Sequence, residues 1–429
     1  MNPSTLFPLL LAFGVSSLLA QSPEGTDTAG TRFATSNEPP EGQVAPRTSL
    51  YPRHLPRGSH VIPETSIEQP EDVGVRKHTN HVMFVPDAVT SGPQGETPQS
   101  IREVYNLPPT GGSGVIAIID AFHYPTALND FNVFSKEFSL PTETSTNATL
   151  ANNKVFQVVF ASGAQPAVNR GWAQEAALDI EWAHAMAPDA KIVLVEAASS
   201  SNGDLDAAVR VANRLPGLAE VSMSYGSTET RNEASGDGVY SKPFVVYIAA
   251  SGDVGGVVNY PGCSSKVIAA GGTFITRDAN GDFVSETGWR GTGGGMSRFI
   301  PRPAYQNNIS ATVGAVRGVP DLSFDAAPAS GVSVYDSTPY QGEQGWMILG
   351  GTSVASPSLA GIINTAATSR GTFAGSTAAE LTTIYNQLNG TAYPTEFRDI
   401  SRGKAGQNRA TARWDFVTGV GSPLGLNGK

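Results

Sequence analysis

The stretch that decides the fold is Gly114-Val-Ile-Ala-Ile-Ile-Asp120, a short apolar run that ends in an acidic residue. Several runs of the same kind follow it, and continuous apolar runs of this length are typical of strands buried on both faces. Helical stretches lie between some of them, at 172–186 and 204–213. This alternation predicts an α/β fold with a mostly parallel central sheet and helices on both faces. The further apolar runs are 154–160, 191–196, 220–224, 244–250 and 266–270.

The overall composition narrows the class of protein. The chain has 429 residues, and 38 acidic against 28 basic residues give a net charge of −10, which argues against a nucleic-acid partner. Its length alone fits two or three domains, or one large α/β domain. A single cysteine, Cys263, excludes an intrachain disulfide, and we expect it to be a small buried residue.

The N-terminal part differs in texture from the rest of the chain. An apolar run from Leu6 to Ala20 is too short to span a bilayer and predicts a signal peptide, residues 1–20, and hence a secreted protein. No other segment is expected to cross a membrane. Residues 21–96 are rich in Pro, Thr and Glu and are either a pro-segment or an N-terminal extension that acts as a linker. A strand is expected within 64–86.

Two acids stand four residues apart in the predicted helix, Glu175 and Asp179, and therefore share one helical face. Like charges at this spacing destabilise a helix unless a shared proton compensates, and a paired carboxylate can act as a general base. At about 100° per residue, Glu181 and His184 point away from the pair. The pair alone is also compatible with a solvated face, but its apolar neighbours favour burial.

A serine and an acid follow two other apolar runs. The stretch from Trp346 to Ser353 predicts a strand and a tight turn before a helix, so Ser353 would lie at a helix N-terminus, where free N–H groups favour negative charge. Pro357 lacks the N–H that would otherwise bond the carbonyl of Ser353. An ordinary helix-capping serine is the alternative. Asp253, in a Gly-rich turn after a strand, is either structural or part of a site.

Together these pieces resemble the sedolisins, or serine-carboxyl peptidases, which share the subtilisin-like fold. The resemblance spans residues 97–429 and implies that this part is the peptidase domain. The matching pieces run in this order: Ile116-Ala-Ile-Ile-Asp120, Glu175-x-x-Leu-Asp179, Ser222-Met-Ser-Tyr225-Gly, Ser251-Gly-Asp253, Tyr260-Pro, Ala270-Gly-Gly-Thr273, Gly293-Gly-Gly-Met-Ser297, Pro320-Asp-Leu-Ser-Phe-Asp325, Gly350-Gly-Thr-Ser353-x-x-x-Pro357, Asp399-Ile400 and Trp414-Asp415.

The resemblance implies a role for each site residue. Ser353 would be the nucleophile, Glu175 the general base and Asp179 its orienting partner, while a protonated Asp253 would line the oxyanion hole. Asp120 would extend the carboxylate network. Because a carboxylate is a weaker base than imidazole, activity should lie in the acid range. The implied protein is a secreted endopeptidase, monomeric, with protein or peptide substrates and neither nucleic-acid nor membrane partners.

The resemblance also implies one bound calcium ion near the C-terminus. Its ligands would be the carboxylates of Asp399 and Asp415 and the backbone oxygens of Ile400, Thr411 and Arg413. Backbone oxygens need no particular side chain, although the family has glycines at the last two of these carbonyl positions.

Two other functions stay open at this point. Tyr225 stands where the family usually has Trp, and with the altered calcium loop it motivates a catalytically silent binding or structural protein. A subtilisin-like enzyme of the Ser-His-Asp type would need His123 or His184, the histidines outside the N-terminal zone. Self-cleavage of the precursor near residues 90–100 at acid pH would argue against a silent protein.

Overall fold

A computed structural model of the chain describes residues 58–86 and 91–429, together with a short strand at Phe33–Thr35. The predicted signal peptide lies outside the described residues, as does most of 21–57, and the predicted division at residues 1–20, 21–96 and 97–429 stays a prediction. The α-helices are α1 Pro98–Tyr105, α2 Ala127–Glu137, α3 Arg170–Met186, α4 Asn202–Ala212, α5 Ser310–Val313, α6 Thr352–Arg370, α7 Thr377–Gln387 and α8 Tyr393–Glu396.

The strands are β1 Phe33–Thr35, β2 His60–Ile62, β3 His78–Thr79, β4 Val82–Phe84, β5 Val115–Ala121, β6 Phe156–Phe160, β7 Lys191–Ala197, β8 Leu218–Met223, β9 Tyr225–Thr228, β10 Val246–Ala250, β11 Asn259–Tyr260, β12 Ile268–Arg277, β13 Phe283–Gly288, β14 Gly295–Pro301, β15 Val316–Val319, β16 Leu322–Asp325, β17 Val332–Tyr340, β18 Glu343–Gly350, β19 Phe397–Arg398, β20 Lys404–Ala405, β21 Asn408–Arg409 and β22 Ser422–Pro423.

The central sheet has the order β13-β12-β10-β8-β5-β7-β6, and β16 also pairs with β12. All of these pairings are parallel except that of β13, which joins β12 as an antiparallel strand. Each apolar run expected to be a strand forms one, within three residues of the predicted bounds except that β12 continues to Arg277. The predicted mostly parallel α/β sheet is therefore confirmed.

Helices cover both faces of this sheet, as the alternation of its side chains requires. In β5, Ile116 and Ile118 belong to the core that also holds the apolar side of α3 and α6. Ala117 and Ile119 point to the opposite core, which α4 covers. The candidate residues on α3 and α6 thus share one layer, and the two helices pack directly against each other.

The N-terminal zone is built into this body. A second sheet has the order β1-β2-β4-β18-β17, and β3 joins β9 beside it. The strand expected within 64–86 is confirmed, and the described residues 58–86 do not form a detached linker. None of the helices in the described ranges is both long and apolar enough to cross a membrane.

Candidate active site

The acid pair lies on α3, and Asn169 caps the start of this helix. The side chain of Asn169 accepts a hydrogen bond from the Trp172 N–H at 3.1 Å, which satisfies one of the free donors at the helix start. From residue 171 to residue 186 every position is buried, including Glu175 and Asp179 at 0% exposure. The solvated-face alternative is therefore wrong, and both acids lie inside the protein.

Three acids form one buried cluster at this point. Asp120 lies near the carboxyl end of β5 and is 1% exposed. Burial, and then the neighbouring carboxylates Glu175 and Glu196, raise the pKa of Asp120 well above its usual value. Burial, and then Asp120 and Glu175, do the same to the pKa of Asp179. Within the described residues the Asp120 carboxylate has no hydrogen-bond partner, so a proton held in the cluster is what makes its burial tolerable.

Ser353 is the second residue of α6, and Gly351 takes the capping position before the helix. The helix-capping alternative for Ser353 is therefore wrong. Its backbone N–H, one of the free donors of the helix start, donates to the carbonyl oxygen of Asn80 at 3.0 Å. Its hydroxyl donates to the carbonyl oxygen of Ser224 at 3.1 Å. Because Pro357 has no N–H to offer, the Ser353 carbonyl instead accepts the Ser224 hydroxyl at 3.4 Å.

Asp253 lies directly beside the start of α6. Its Oδ1 accepts both the backbone N–H and the hydroxyl of Thr352, each at 2.8 Å. Burial raises the pKa of Asp253 to about 7, although the two bonds from Thr352 oppose this shift and Glu175 adds to it. Oδ2 is buried and has no partner in the described part of the chain. One oxygen is thus anchored, and the other is free to carry a proton.

A histidine from the N-terminal zone contacts Glu175, the candidate general base. His81 is fully buried, and its Nδ1 lies 2.5 Å from Oε2 of Glu175. Its Nε2 lies 2.9 Å from Oε1 of Gln174. The sequence interpretation missed this residue, because nothing local links position 81 to position 175. The only available signal was the strand expected around it.

Three other titratable residues, Glu181, His184 and His123, bond elsewhere. Helix geometry predicted this for Glu181 and His184, which lie on α3 with the acid pair. Glu181 accepts the Tyr335 N–H at 3.0 Å, away from Ser353. His184 lies 2.8 Å from the carbonyl oxygen of Pro141, and burial lowers its pKa to about 4. His123 lies 2.8 Å from Glu196. Neither of these histidines contacts the acid pair.

Four of the five predicted calcium-ligand residues are joined in two pairs by hydrogen bonds. The Arg413 N–H donates to Asp399 at 2.8 Å, and the Thr411 N–H donates to Asp415 at 2.9 Å. The Arg413 guanidinium is turned toward the Leu388 carbonyl, at 2.7 Å. No cluster of three His, Cys, Asp or Glu side chains that could hold a metal occurs among the described residues. Two acids and backbone oxygens in one loop fit a hard cation that takes mostly oxygen ligands.

Comparison with known proteins finds relatives of the kind that the sequence motifs resemble. The chain is 32% identical over 292 residues to kumamolisin from Bacillus sp. (strain MN-32), across 59% of this chain and 49% of that protein. It is 32% identical over 179 residues to sedolisin from Pseudomonas sp. (strain 101), across 38% of this chain and 28% of that protein. The chain is thus similar to sedolisins over part of its length. Tripeptidyl-peptidase 1 from Dictyostelium discoideum is a further relative, 28% identical over 290 residues, 58% of this chain and 45% of that protein.

A solved structure agrees with the predicted fold of this chain. Pseudomonas sedolisin in complex with pseudo-iodotyrostatin matches with a TM-score of 0.63 and 23% identity, over 77% of this chain and 96% of that one. The subtilisin-like fold is thereby confirmed. No family model matches the chain. The chain spans about half the length, or less, of the curated relatives it matches.

Tyr225 stands where the resemblance led us to expect Trp. The residue is 2% exposed, and its ring lies 6.3 Å from that of Trp172 on α3. Its backbone pairs with Thr79 of the N-terminal segment. The tyrosine therefore packs as a buried aromatic residue between the acid-bearing helix and that segment.

Proposed function

We propose that this chain is a secreted, acid-active serine-type endopeptidase that cleaves proteins or peptides through an acyl-enzyme on Ser353. One observation carries the proposal. The backbone N–H of Ser353 donates to a peptide carbonyl, that of Asn80, at 3.0 Å, beside a buried carboxylate cluster. In serine peptidases the N–H of the nucleophile is part of the oxyanion hole, so a peptide carbonyl at this place is where a substrate carbonyl belongs.

The proposed reaction uses this chain's own groups. Glu175 takes the proton of the Ser353 hydroxyl while the oxygen attacks the substrate carbonyl carbon, and Asp179 and Asp120 hold the orientation and the second proton of the cluster. The Ser353 N–H and a protonated Asp253 stabilise the oxyanion. Glu175 then gives the proton to the leaving nitrogen as the C–N bond breaks. A water molecule repeats the sequence and releases the acyl group.

The described arrangement is a resting form of that machinery. The Ser353 hydroxyl is held by the Ser224 carbonyl at 3.1 Å, and Glu175 is held by His81 at 2.5 Å. Both partners must leave before the base and the nucleophile can meet. Both nitrogens of His81 already have oxygen partners, so neither is free to accept the serine proton. This disfavours a catalytic role for histidine.

Acid activity follows from Asp253. It can donate a hydrogen bond to an oxyanion only while protonated, and its pKa is raised to about 7. The donor is therefore complete at pH 4 and is lost as pH rises through about 7. An enzyme that depends on it should lose activity over the same range.

The test is digestion of casein between pH 3 and pH 8 by the full chain. Ser353→Ala should lower the rate by about 10⁴-fold or more at every pH. Ser358→Ala is the matched control, because Ser358 lies on the same helix and its buried hydroxyl has no partner in the described residues. An active Ser353→Ala protein would refute the proposed nucleophile. A wild-type chain that digests nothing at any pH would instead favour the silent binding role.

We also propose one structural calcium ion at the C-terminal loop. The carboxylates of Asp399 and Asp415 and the backbone oxygens of Ile400, Thr411 and Arg413 would hold it and tie the loop together. Support comes from two hydrogen bonds, which keep Asp415 beside Thr411 and Asp399 beside Arg413.

Calcium removal tests this through stability alone. Adding a chelator to the Ser353→Ala protein should lower the thermal midpoint by several degrees, and excess Ca²⁺ should restore it. Asp415→Asn should abolish the difference in thermal midpoint between the protein with chelator and the protein with Ca²⁺. The exposed acid Asp282 offers a control, since Asp282→Asn should leave it unchanged. A midpoint indifferent to chelator and Ca²⁺ would argue against the ion.

Secretion rests on the apolar run from Leu6 to Ala20. Expression in a secreting host should release protein to the medium, and deletion of residues 1–20 should keep it in the cell. Sedimentation of the secreted Ser353→Ala protein should give a single monomeric species. Retention of the full-length chain would contradict the signal peptide.

A further inference from the structure

The N-terminal segment crosses the candidate site as an extended peptide. On one side of Ser353, β3 pairs antiparallel with β9, with His78 opposite Gly226. On the other side, β4 pairs antiparallel with β18, with Val82 opposite Gly350. Main-chain pairing of this kind does not depend on side chains, so the same two edges can hold other extended peptides, and pockets for individual side chains must supply selectivity.

The register of the segment is fixed at Asn80. Its carbonyl oxygen is the one that accepts the Ser353 N–H. A Cβ atom added to Gly351 would lie 2.2 Å from that oxygen and 2.5 Å from Oδ2 of Asp253, so both oxygens flank one point. The bond presented to the nucleophile is therefore Asn80–His81. It lies before the 90–100 region where the sequence suggested self-cleavage.

Lys77 is the fourth residue counted back from that bond, and its charged end is enclosed. Nζ lies 2.6 Å from Oε1 of Glu233 and 2.6 Å from the hydroxyl of Ser227. It also lies 4.8 Å from the centre of the Tyr260 ring. The side chains of Lys77 and Glu233 are 4% and 6% exposed. By contrast, the neighbouring Arg76 side chain is 59% exposed.

This enclosure discriminates between side chains. A buried carboxylate without a cation is costly, and a neutral side chain at this position would leave Glu233 with hydrogen bonds from Ser227 and Thr230 but without its cation. The adjoining cavity has a volume of about 410 Å³, and Asp206 adds a second acid to its lining. Three tyrosines, Tyr225, Tyr240 and Tyr260, are also among its lining residues. The pocket therefore suits a basic side chain and rejects an acidic one.

We propose that the Glu233 pocket is a substrate subsite that selects lysine as the fourth residue before the cleaved bond, and that the chain's own segment is its first occupant. The cleavage part rests on the proposed peptidase function. Once the His81 ring has left Glu175, hydrolysis would consume one water molecule and leave a carboxylate on Asn80 and a free amine on His81. Selection of lysine by the pocket does not depend on cleavage.

A binding experiment therefore comes first, in the full chain with Ser353→Ala. Lys77→Gln and Arg76→Gln each remove one positive charge from the same segment. Only Lys77→Gln removes the cation from the Glu233 pocket. Backbone amides from residue 78 to residue 83 should exchange with deuterium about tenfold faster in Lys77→Gln and within about twofold of the parent in Arg76→Gln. Equal protection in both variants would overturn the subsite.

A cleavage experiment follows with the wild-type chain after incubation at about pH 4. The new N-terminus found by mass spectrometry should be His81. A peptide of residues 73–86 should be cut at the same bond, with kcat/KM about tenfold or more above that of its Lys77→Gln form and within about threefold of its Arg76→Gln form. Glu233→Gln in the enzyme should remove the preference for lysine.

The outcomes separate the two proposals. If the chain digests casein but cuts the lysine and glutamine peptides equally, the subsite is refuted while the peptidase function stands. If it digests nothing, the peptidase function fails and the exchange experiment alone decides the subsite. A cut at a bond other than Asn80–His81 would refute the register.

Discussion

Single residues show how burial, more than residue type, sets the chemistry of this site. Asp253 would be an ordinary anion in water, but inside the protein its pKa is raised to about 7, with Oδ1 fixed by Thr352 and Oδ2 free. A carboxyl group in this state can donate a hydrogen bond at acid pH. The sequence suggested that role only through a family resemblance, since an acid in a Gly-rich turn is equally well structural.

Replacing Asp253 by asparagine tests this role. Asparagine keeps the Oδ1 acceptor for Thr352 and offers an N–H donor at every pH. We expect Asp253→Asn to keep measurable activity and to lose the decline between pH 5 and pH 8, whereas Asp253→Ala should cost about 10²–10³-fold in kcat. Peptide hydrolysis across this pH range is the measurement. A decline unchanged in Asp253→Asn would assign the upper pH limit to another group.

Residues that depend on local spacing could be predicted, and those that depend on distant pairing could not. Four-residue spacing placed Glu175 and Asp179 on one face, and strand-turn-helix order placed Ser353 at a helix start. His81 contacts Glu175 across 94 positions, and no periodicity in either segment encodes that contact. The same holds for Lys77 and Glu233, which are 156 positions apart.

At the level of elements, the strands of the central sheet followed from apolar runs because both faces of that sheet are buried. The pairing of β4 with β18 did not, because β4 has three residues and its partner is set by tertiary packing. This pairing is the one that carries the N-terminal segment past Ser353. The turn between β18 and α6 holds Gly351, where the Asn80 oxygen and Asp253 Oδ2 approach the backbone closely.

Gly351 makes this turn possible, and its substitution gives a clear expectation. Its φ is +101°, and a Cβ atom would lie 2.2 Å from the Asn80 oxygen. Gly351→Ala should abolish peptide hydrolysis and cost on the order of 1–3 kcal/mol of stability. Gly342 has φ +89°, and no atom of the described residues lies within 4 Å of a Cβ atom added there. Gly342→Ala should therefore lose stability through backbone strain while activity persists. Thermal midpoints and hydrolysis rates of both variants decide this, and full activity in Gly351→Ala would contradict the crowded turn.

At the level of the whole molecule, many buried carboxyl groups have pKa values shifted in the same direction. Burial raises the pKa of Asp253 and Asp336 to about 7 and that of Asp415 to about 6. Fewer shift the other way, such as Glu143, whose pKa is lowered although burial alone would raise it, because backbone N–H groups bond its carboxylate. The folded chain therefore binds more protons than the unfolded chain between about pH 4 and pH 7. Burial also raises the pKa of Asp120, Asp179, Glu181, Glu220 and Asp325.

The sign of the resulting pH dependence is fixed by linkage. A carboxyl group with a raised folded pKa gives its full stability below its unfolded pKa, near 4, and loses it as pH rises through the folded pKa. A tenfold change in the acid dissociation constant of one group corresponds to about 1.4 kcal/mol, so the free energy of unfolding should fall by several kcal/mol between pH 4 and pH 8. Urea unfolding of the Ser353→Ala protein, which cannot digest itself, measures this directly.

Two matched variants test whether buried carboxyl groups cause the pH dependence of the free energy of unfolding. Asp336→Asn keeps the Oδ1 that accepts the Thr338 N–H at 2.7 Å and removes one titrating group, so the pH slope should become shallower. Asp282→Asn, at an exposed position, should leave the slope unchanged. A chain that became more stable from pH 4 to pH 8 would show that these carboxyl groups ionise freely in the folded state. The proposed acid preference of the candidate site and the pH dependence of the fold would then have separate origins, whereas a falling stability curve would give both the same cause, carboxyl groups that are buried and protonated.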